Sequence, residues 1–244
     1  MKIKVINPNT TWSMTEKIGA AARAVAAPGT EIVAVSPAMG PVSIEGFYDE
    51  AFAAVGVIDE VRKGEAEGCD GYVIACFGDP GLAAAREVAS GPVVGIAEAA
   101  MHAASLTGTG FSIVSMLERS RATMEHLVHA YGMHHRCRSI RMTDIPVLDL
   151  EEEGSNAQAV VIAACRAAIE EDHADCVLLG CGGMSDLMKK VTAEIGAPAI
   201  DGVSAGVKLV EALVGLGLGT SKRQGYARPL PKEYVGAFSD YAPK

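Results

Sequence analysis

The sequence predicts an α/β fold of two pseudo-symmetric, doubly wound lobes, each with a mainly parallel four-stranded sheet flanked by helices. Short runs rich in Val and Ile alternate with longer segments of helical period, as in βαβ units that build parallel sheets. The second half of the 244-residue chain repeats the order of the first. Three residues recur about 105 positions later, Asp70 as Asp175, Cys76 as Cys181 and Pro92 as Pro198.

Eight short apolar runs carry the strand prediction, four in each half of the chain. In the first half the predicted strands are Ile3–Ile6, Glu31–Val35, Tyr72–Ala75 and Pro92–Ile96. In the second half they are Phe111–Ser115, Ser139–Met142, Cys176–Leu179 and Pro198–Ile200. Since the intervening segments are long enough for helical crossovers, we expect parallel pairing in both sheets.

Capping signals and apolar spacing predict the helices between these strands. Ser13 and Glu16 have capping-box spacing, so a helix is expected there that ends before Pro28. Apolar residues recur at every third position, as on one face of a second helix, at Phe52, Val55, Ile58 and Val61.

Two further helices are predicted directly after the duplicated cysteines. After Cys76, Asp79 is interpreted as an N-cap and Pro80 as the first helical residue. After Cys181, a helix is expected over about residues 185–195.

The lobes are expected to be tightly joined, because no low-complexity linker separates them. Residues 1–97 with 206–244 are predicted to form the first lobe and residues 98–205 the second, with the active site in the cleft between them. The chain then crosses near 97–110 and 202–206. A helix over about residues 204–216 is expected to pack back on the first lobe through Val203, Val207, Val210 and Val214.

Composition narrows the function to small-molecule chemistry. The net charge of −9 argues against a nucleic-acid surface, which needs clustered Lys and Arg. No window approaches about 18 uncharged apolar residues, and the chain starts without a run of signal-peptide length, so we expect no membrane span and a cytoplasmic location. The six cysteines are therefore expected to be free thiols.

Cofactor and metal signatures are weak. The cysteines lack Cys-x-x-Cys pairs and zinc-site spacing with His, so no metal site is predicted. The Gly108-Thr109-Gly110 run precedes a strand instead of following one, which is the wrong order for a dinucleotide site. We expect a protein that works without metal or organic cofactor.

Cys76 and Cys181 are the candidate catalytic residues, since ligands of open parallel sheets bind beyond the carboxyl ends of the strands. A helix N-terminus after each cysteine is expected to lower the thiol pKa. Packing alone explains many strand-end cysteines, and Cys69 and Cys176 are interpreted in that way. Two cysteines at equivalent places, each soon followed by glycine, favour function.

Two thiols on opposite sides of one cleft suit two-base proton transfer. One thiolate removes a proton from an acidic C–H, and the other thiol delivers a proton to the opposite face. A nucleophilic thiol enzyme instead needs a His partner. His102 is the nearest candidate and is interpreted as a packing residue. Asn9, after the first strand, suits either turn formation or substrate binding.

Five motifs resemble the hydantoin racemases, in the hydantoin and allantoin racemase branch of the aspartate/glutamate racemase superfamily. The resemblance covers residues 2 to about 226. The motifs are Val-Ile-Asn-Pro-Asn-Thr (5–10), Ala-Cys-Phe-Gly-Asp-Pro-Gly-Leu (75–82), Gly-Ile-Ala-Glu-Ala-Ala (95–100), Gly-Cys-Gly-Gly-Met (180–184) and Leu-Gly-Leu-Gly-Thr-Ser-Lys (216–222).

The resemblance implies a cofactor-independent homo-oligomer that racemises 5-substituted hydantoins at C5. Cys76 and Cys181 are then the acid–base pair. Residues implied to line the ring site are Asn9, Gly78, Gly182 and Gly183. Gly182 stands where many relatives are expected to have Ala, which is expected to loosen the turn. No His closely follows Cys181, unlike in glutamate racemases, so an amino-acid substrate is disfavoured.

The pocket for the C5 substituent is expected to be shaped by the apolar side chains of Ile44, Phe47 and Phe77. Allantoin, which carries a polar ureido group, is a second possible substrate. The residues are also compatible with a one-cysteine reaction of the same superfamily, either a decarboxylation or a cis–trans isomerisation. A two-lobed ligand binder without catalysis is a further hypothesis.

Overall fold

The computed structural model describes residues 1–146, 149 and 155–243, in which eight strands and eight α-helices alternate. The strands are β1 (Lys2–Ile6), β2 (Glu31–Val35), β3 (Gly71–Ile74), β4 (Val93–Gly95), β5 (Phe111–Ser115), β6 (Cys137–Met142), β7 (Cys176–Leu179) and β8 (Ala199–Asp201). The helices are α1 (Trp12–Val25), α2 (Phe47–Ala66), α3 (Leu82–Val88), α4 (Ile96–Thr107), α5 (Arg121–Ala130), α6 (Ala157–Glu170), α7 (Met188–Ile195) and α8 (Gly202–Gly215).

The strands form two four-stranded sheets with the same order. The first is β2-β1-β3-β4 and the second β6-β5-β7-β8, and every pairing in both is parallel. The central pairs are in matching register, with Val5 opposite Val73 and Ile113 opposite Leu178. The predicted α/β class with two parallel four-stranded sheets is therefore confirmed. All eight predicted strands are present, with ends shifted by at most two residues.

One hydrophobic core joins the two sheets. Val5 and Val73 of the first sheet belong to the same buried cluster as Ile113 and Leu178 of the second. Helix α8 packs against β3, β4, α1 and α4, so its predicted return to the first sheet is confirmed. Its Val207 is fully buried. A sheet face cannot remain apolar in water, and here the helices between the sheets cover both inner faces.

Two helix predictions are wrong in detail. Helix α1 begins at Trp12 with Thr11 as N-cap, so Ser13 lies inside the helix and no capping box forms. The helix does end before Pro28, as predicted.

Helix α2 is present, but the prediction that Phe52 and Val61 share one of its faces is wrong. Val57 and Val61 are buried, but the Phe52 side chain is half-exposed. A three-residue step falls about 60° short of a full turn in a helix with 3.6 residues per turn, so Phe52 and Val61 lie on opposite faces.

None of the helices in the described ranges combines the length and the apolar character that a membrane span requires.

Candidate active site

Cys76 and Cys181 line the same cavity at the carboxyl edge of the two sheets. Each lies two residues beyond the end of a central strand, Cys76 after β3 and Cys181 after β7, and both are half-buried. The cavity measures about 70 Å³, several times the roughly 10–15 Å³ that one water molecule requires. The cavity therefore has room for a small ligand in a space that both cysteines line.

Most of the predicted site residues line this cavity. Asn9, Ile44, Phe77, Gly78 and Gly182 lie in its wall together with the two cysteines. Two of the predicted residues do not. The carbonyl of Gly183 faces α1 and accepts a hydrogen bond from Lys17 Nζ at 3.3 Å. Phe47 begins α2 with an exposed side chain.

The Cys76 thiol is not acidified, contrary to expectation. Burial raises its pKa well above the ordinary value, and a hydrogen bond from the Gly78 backbone N–H only partly opposes this. The nearby charges of Cys181, Glu50 and Asp79 raise the pKa further. Helix α3 begins only at Leu82 and has seven residues, so its N-terminus is too remote to help. The thiol is therefore neutral at rest.

Asp79 does not cap the helix that follows it. The N-cap of α3 is Gly81, with φ of 73°. The Asp79 carboxylate instead accepts hydrogen bonds from the backbone N–H groups of Ala97 and Glu98, both at 3.0 Å, and so caps α4. Gly95 permits this approach, since a Cβ there would lie 2.2 Å from Asp79 Cγ.

In the second half of the chain, the equivalent helix α8 is capped by the residue directly before it. Asp201 stands at the start of α8, the position equivalent to Gly95, and its own carboxylate accepts from Val203 N (3.1 Å) and Ser204 N (2.8 Å). In the first half, the capping carboxylate is that of Asp79, which lies in the loop after Cys76. The Asp79 backbone N–H donates to the Cys76 carbonyl at 3.0 Å. The Cys76 loop is thereby fixed to the start of α4.

The Cys181 loop packs directly on the Cys76 loop. Cys181 is the N-cap of a 3₁₀ helix, Gly182–Leu187, that continues into α7, so the helix predicted from residue 185 is α-helical only from Met188. A Cβ at Gly182 would lie 2.7 Å from the Ala75 carbonyl oxygen. Glycine here does not loosen the turn, since it lets the two cysteine loops approach each other.

Asn9 has the turn role and also a place in the cavity wall. Its Oδ1 accepts hydrogen bonds from Asn7 Nδ2 at 2.8 Å and from the Thr11 backbone N–H at 2.9 Å. Its Nδ2 donates to Met14 Sδ at 3.2 Å, which leaves one amide hydrogen for a ligand.

Sequence reasoning missed several polar residues of the cavity, above all Glu50 of α2 and Thr123 of α5. Ser115, at the end of β5, also lines the cavity, and its hydroxyl donates to the Gly180 carbonyl at 2.7 Å. A strand-end position signals Ser115. No local pattern signals the other two, because helices from different halves of the chain bring them to the cavity.

Residues interpreted as structural lie away from the thiols. Cys69 and Cys176 are buried in the hydrophobic cores, as predicted. His102 is exposed on α4 and does not line the cavity, so it neither packs nor partners Cys76. Within residues 1–146, 149 and 155–243, no cluster of three or more His, Cys, Asp or Glu is placed to hold a metal ion.

Comparison with known proteins agrees with this arrangement. The family model for Asp/Glu/Hydantoin racemase matches residues 3–210. A hydantoin racemase of Pseudomonas sp. (strain NS671) is 51% identical over 99% of this chain and 97% of its own, and one of Rhizobium meliloti is 46% identical over 97% and 98%. The structure of allantoin racemase from Klebsiella pneumoniae superposes with a TM-score of 0.98 at 54% identity and covers 100% of both chains.

Fold, site and relatives together define an isomerase of the racemase class. The chain belongs to the Asp/Glu/Hydantoin racemase family, as its resemblance to that family predicts.

Proposed function

We propose that the protein interconverts the D and L forms of 5-monosubstituted hydantoins by two-base proton transfer at C5, with Cys76 and Cys181 as the two bases. The observation that carries this proposal is that both thiols, from equivalent strand ends, line one small cavity. The high identity to hydantoin and allantoin racemases supports the substrate class. A reaction that uses one cysteine leaves the second unexplained.

The reaction proceeds by inversion between the two sulfurs. The thiolate on one side removes the C5 proton, the electron pair moves into the adjacent carbonyl, and the thiol on the other side protonates C5 from the opposite face. The starting thiol is thereby left as thiolate, and the roles exchange for the mirror-image substrate. The thiols alone supply acid and base, so the proposal includes no cofactor.

The surroundings of the two thiols affect their ionisation in a way that fits this reaction. The Gly78 N–H bonded to Cys76 stabilises its thiolate, while burial keeps that thiolate basic enough to remove a weakly acidic C–H proton. Because both sulfurs share one cavity and their charges repel, ionisation of both thiols is disfavoured, which leaves one thiolate facing one thiol as the reactive state. That is the state from which either enantiomer reacts.

Proton NMR in deuterium oxide, combined with polarimetry, tests the proposal. The wild type is expected to replace the C5 hydrogen of either enantiomer with deuterium while optical rotation decays. Cys76→Ala and Cys181→Ala are each expected to abolish racemisation of both enantiomers. Cys137→Ala removes a half-buried thiol outside the cavity wall and is the matched control, expected to retain wild-type activity.

The outcomes separate the competing hypotheses. Normal turnover in either single cysteine variant contradicts the two-base mechanism and favours a one-cysteine reaction. Binding of a hydantoin by the wild type without deuterium uptake at C5 contradicts catalysis altogether and favours a ligand-binding protein.

We also propose that residues 1–97 with 206–244 form one lobe and that residues 98–205 form the other.

We further propose that the chain forms a homo-oligomer. Aromatic side chains exposed together on α2, those of Phe47, Tyr48 and Phe52, support an interface between copies. Sedimentation equilibrium tests this, since a mass of one 25.3 kDa chain at micromolar concentration contradicts it.

A further inference from the structure

The polar side chains of the cavity divide into satisfied and unsatisfied groups. The amides of Asn7 and Asn9 bond to each other. The hydroxyl of Ser115 donates to Gly180, and Ser120 Oγ donates to the Leu117 carbonyl at 2.7 Å. Asn9 keeps one amide hydrogen, and the carboxylate of Glu45 accepts from Ser43 Oγ at 3.1 Å. The side chains of Glu50 and Thr123 have no hydrogen-bond partner among the described residues except each other. A buried polar group with too few partners is costly, so a ligand is the expected further partner.

Glu50 points its carboxylate at the Cys76 loop. Its Oε1 would lie only 2.7 Å from a Cβ at Gly78, two residues after Cys76. The side chain is half-buried, and burial is the main cause that raises its pKa. An ionised carboxylate has about four acceptor positions and no donor. The described residues give this one no N–H donor, so the site favours a ligand that supplies N–H groups.

Thr123 reaches the same cavity from α5, in the other half of the chain. The residue is 7% exposed, and its Oγ1 is buried without a hydrogen bond of regular geometry to the described residues. Its hydroxyl is within hydrogen-bonding reach of the Glu50 carboxyl and lowers the pKa of that carboxyl in this way. The pair therefore offers a carboxylate acceptor beside a hydroxyl that both donates and accepts.

We propose that Glu50 and Thr123 bind the C5 substituent and select a ureido group, so that allantoin is preferred over hydantoins with an alkyl substituent. The proposal rests on the function proposed above. The two N–H groups on one edge of a urea match the two oxygens of a carboxylate, and the urea carbonyl accepts from a hydroxyl. An alkyl substituent would give neither side chain a hydrogen bond and would leave each with only the other as a partner.

The charge that develops in the reaction argues against a ring-binding role for Glu50. Removal of the C5 proton places negative charge on the neighbouring ring oxygen, and a carboxylate facing that oxygen would oppose the reaction. Glu50 reaches the cavity from α2, whereas the strand-end loops that surround the thiols bring neutral groups such as Asn9 and Gly182. The carboxylate thus fits the substituent better than the ring.

Steady-state kinetics on two substrates test the assignment, with kcat/KM measured for allantoin and for 5-isopropylhydantoin. The wild type is expected to favour allantoin. Glu50→Leu is expected to reduce the ratio of kcat/KM for allantoin to kcat/KM for 5-isopropylhydantoin by about 10- to 100-fold, because an effect of the Glu50 charge on Cys76 acts on both substrates and cancels in the ratio. Thr123→Val, close to isosteric, is expected to shift the ratio in the same direction by about tenfold.

Matched variants keep the test decisive if Glu50→Leu does not fold. Glu50→Gln keeps the size of the side chain and loses one acceptor oxygen, so it is expected to lower the allantoin preference with unchanged circular dichroism. Glu125→Gln neutralises an exposed carboxylate on α5 and is expected to leave the ratio unchanged.

Three outcomes overturn one proposal or the other. If the wild type racemises neither substrate, the proposed function fails, and this assignment fails with it. If the wild type favours 5-isopropylhydantoin, or if the Glu50 and Thr123 variants lose activity on both substrates equally, only the assignment fails and the racemase proposal stands.

Discussion

The phenol oxygen of Tyr131 lies 2.8 Å from Asp79 Oδ2 and donates a hydrogen bond to it. The bond joins the two halves of the chain, since Asp79 follows β3 and Tyr131 follows α5. Asp79 also caps α4 and is bonded to the Cys76 carbonyl through its own N–H. One buried carboxylate thus connects the Cys76 loop, a helix start and the second half of the chain.

Loss of the Tyr131 hydroxyl is expected to destabilise the fold. Tyr131→Phe leaves the buried Asp79 Oδ2 with one donor, the Glu98 N–H, instead of two, which costs about 1–3 kcal/mol of unfolding free energy. Urea denaturation measures this. Tyr226→Phe removes a partly exposed hydroxyl that accepts a long 3.4 Å bond from Arg86, and is the control expected to change little. Equal stability of Tyr131→Phe and wild type contradicts a structural role for the bond.

Asp79 is expected to make stability fall as pH rises. Burial raises the pKa of Asp79 from 3.8 to about 7, against the opposing hydrogen bonds from Tyr131, Ala97 and Glu98. The folded state then binds a proton that the unfolded state has lost, so this contribution is complete below about pH 4 and disappears as pH rises through about 7.

The measurement is the unfolding free energy at pH 5 and pH 8 for wild type and Asp79→Asn. The wild type is expected to lose about 2–3 kcal/mol more than the variant between these values. Identical pH dependence of the two proteins would show that Asp79 stays ionised throughout.

Glu50→Gln is expected to make Cys76 more reactive. After burial and the repulsion of Cys181, the charge of Glu50 is a further cause that raises the pKa of the Cys76 thiol, so neutralising it lowers that pKa. Alkylation of Cys76 by iodoacetamide at pH 9, followed by mass spectrometry of the Cys76 peptide, is expected to be faster in the variant. Cys137 in the same sample is the internal control. An unchanged rate at Cys76 would place Glu50 too far from the thiol to act on it.

Burial, more than distance, is expected to decide which ion pair of Lys4 stabilises the protein. Lys4 Nζ lies 3.3 Å from Glu60 Oε2 and 3.0 Å from Glu67 Oε2, but the side chains are 6% and 47% exposed respectively. Glu60→Ala leaves the buried ammonium poorly paired and is expected to cost about 3 kcal/mol. Glu67→Ala, which breaks the shorter but exposed pair, is expected to cost less than about 1 kcal/mol by urea denaturation. Equal losses would contradict this ranking.

Local periodicity was a good guide to the strands and a poor guide to helix faces and caps. Strands such as Phe111–Ser115 are short apolar runs whose burial on both faces is visible in the sequence itself. The repeat in α2 does not predict its buried face, because a three-residue step does not follow one helical face. The sequence order predicts that Asp79 caps the nearest helix, yet it caps one that begins 17 residues later, since Gly95 leaves room for its side chain.

The sequence by itself determined the duplicated α/β fold, the family and the presence of Cys76 and Cys181 at equivalent strand ends, because these depend on local patterns and on a repeat. Only the tertiary structure decided the protonation of Cys76 and the remaining contents of the cavity. A thiol pKa depends on desolvation and on nearby charges from any part of the chain. Glu50 and Thr123 come from helices 73 positions apart, and folding alone brings them together.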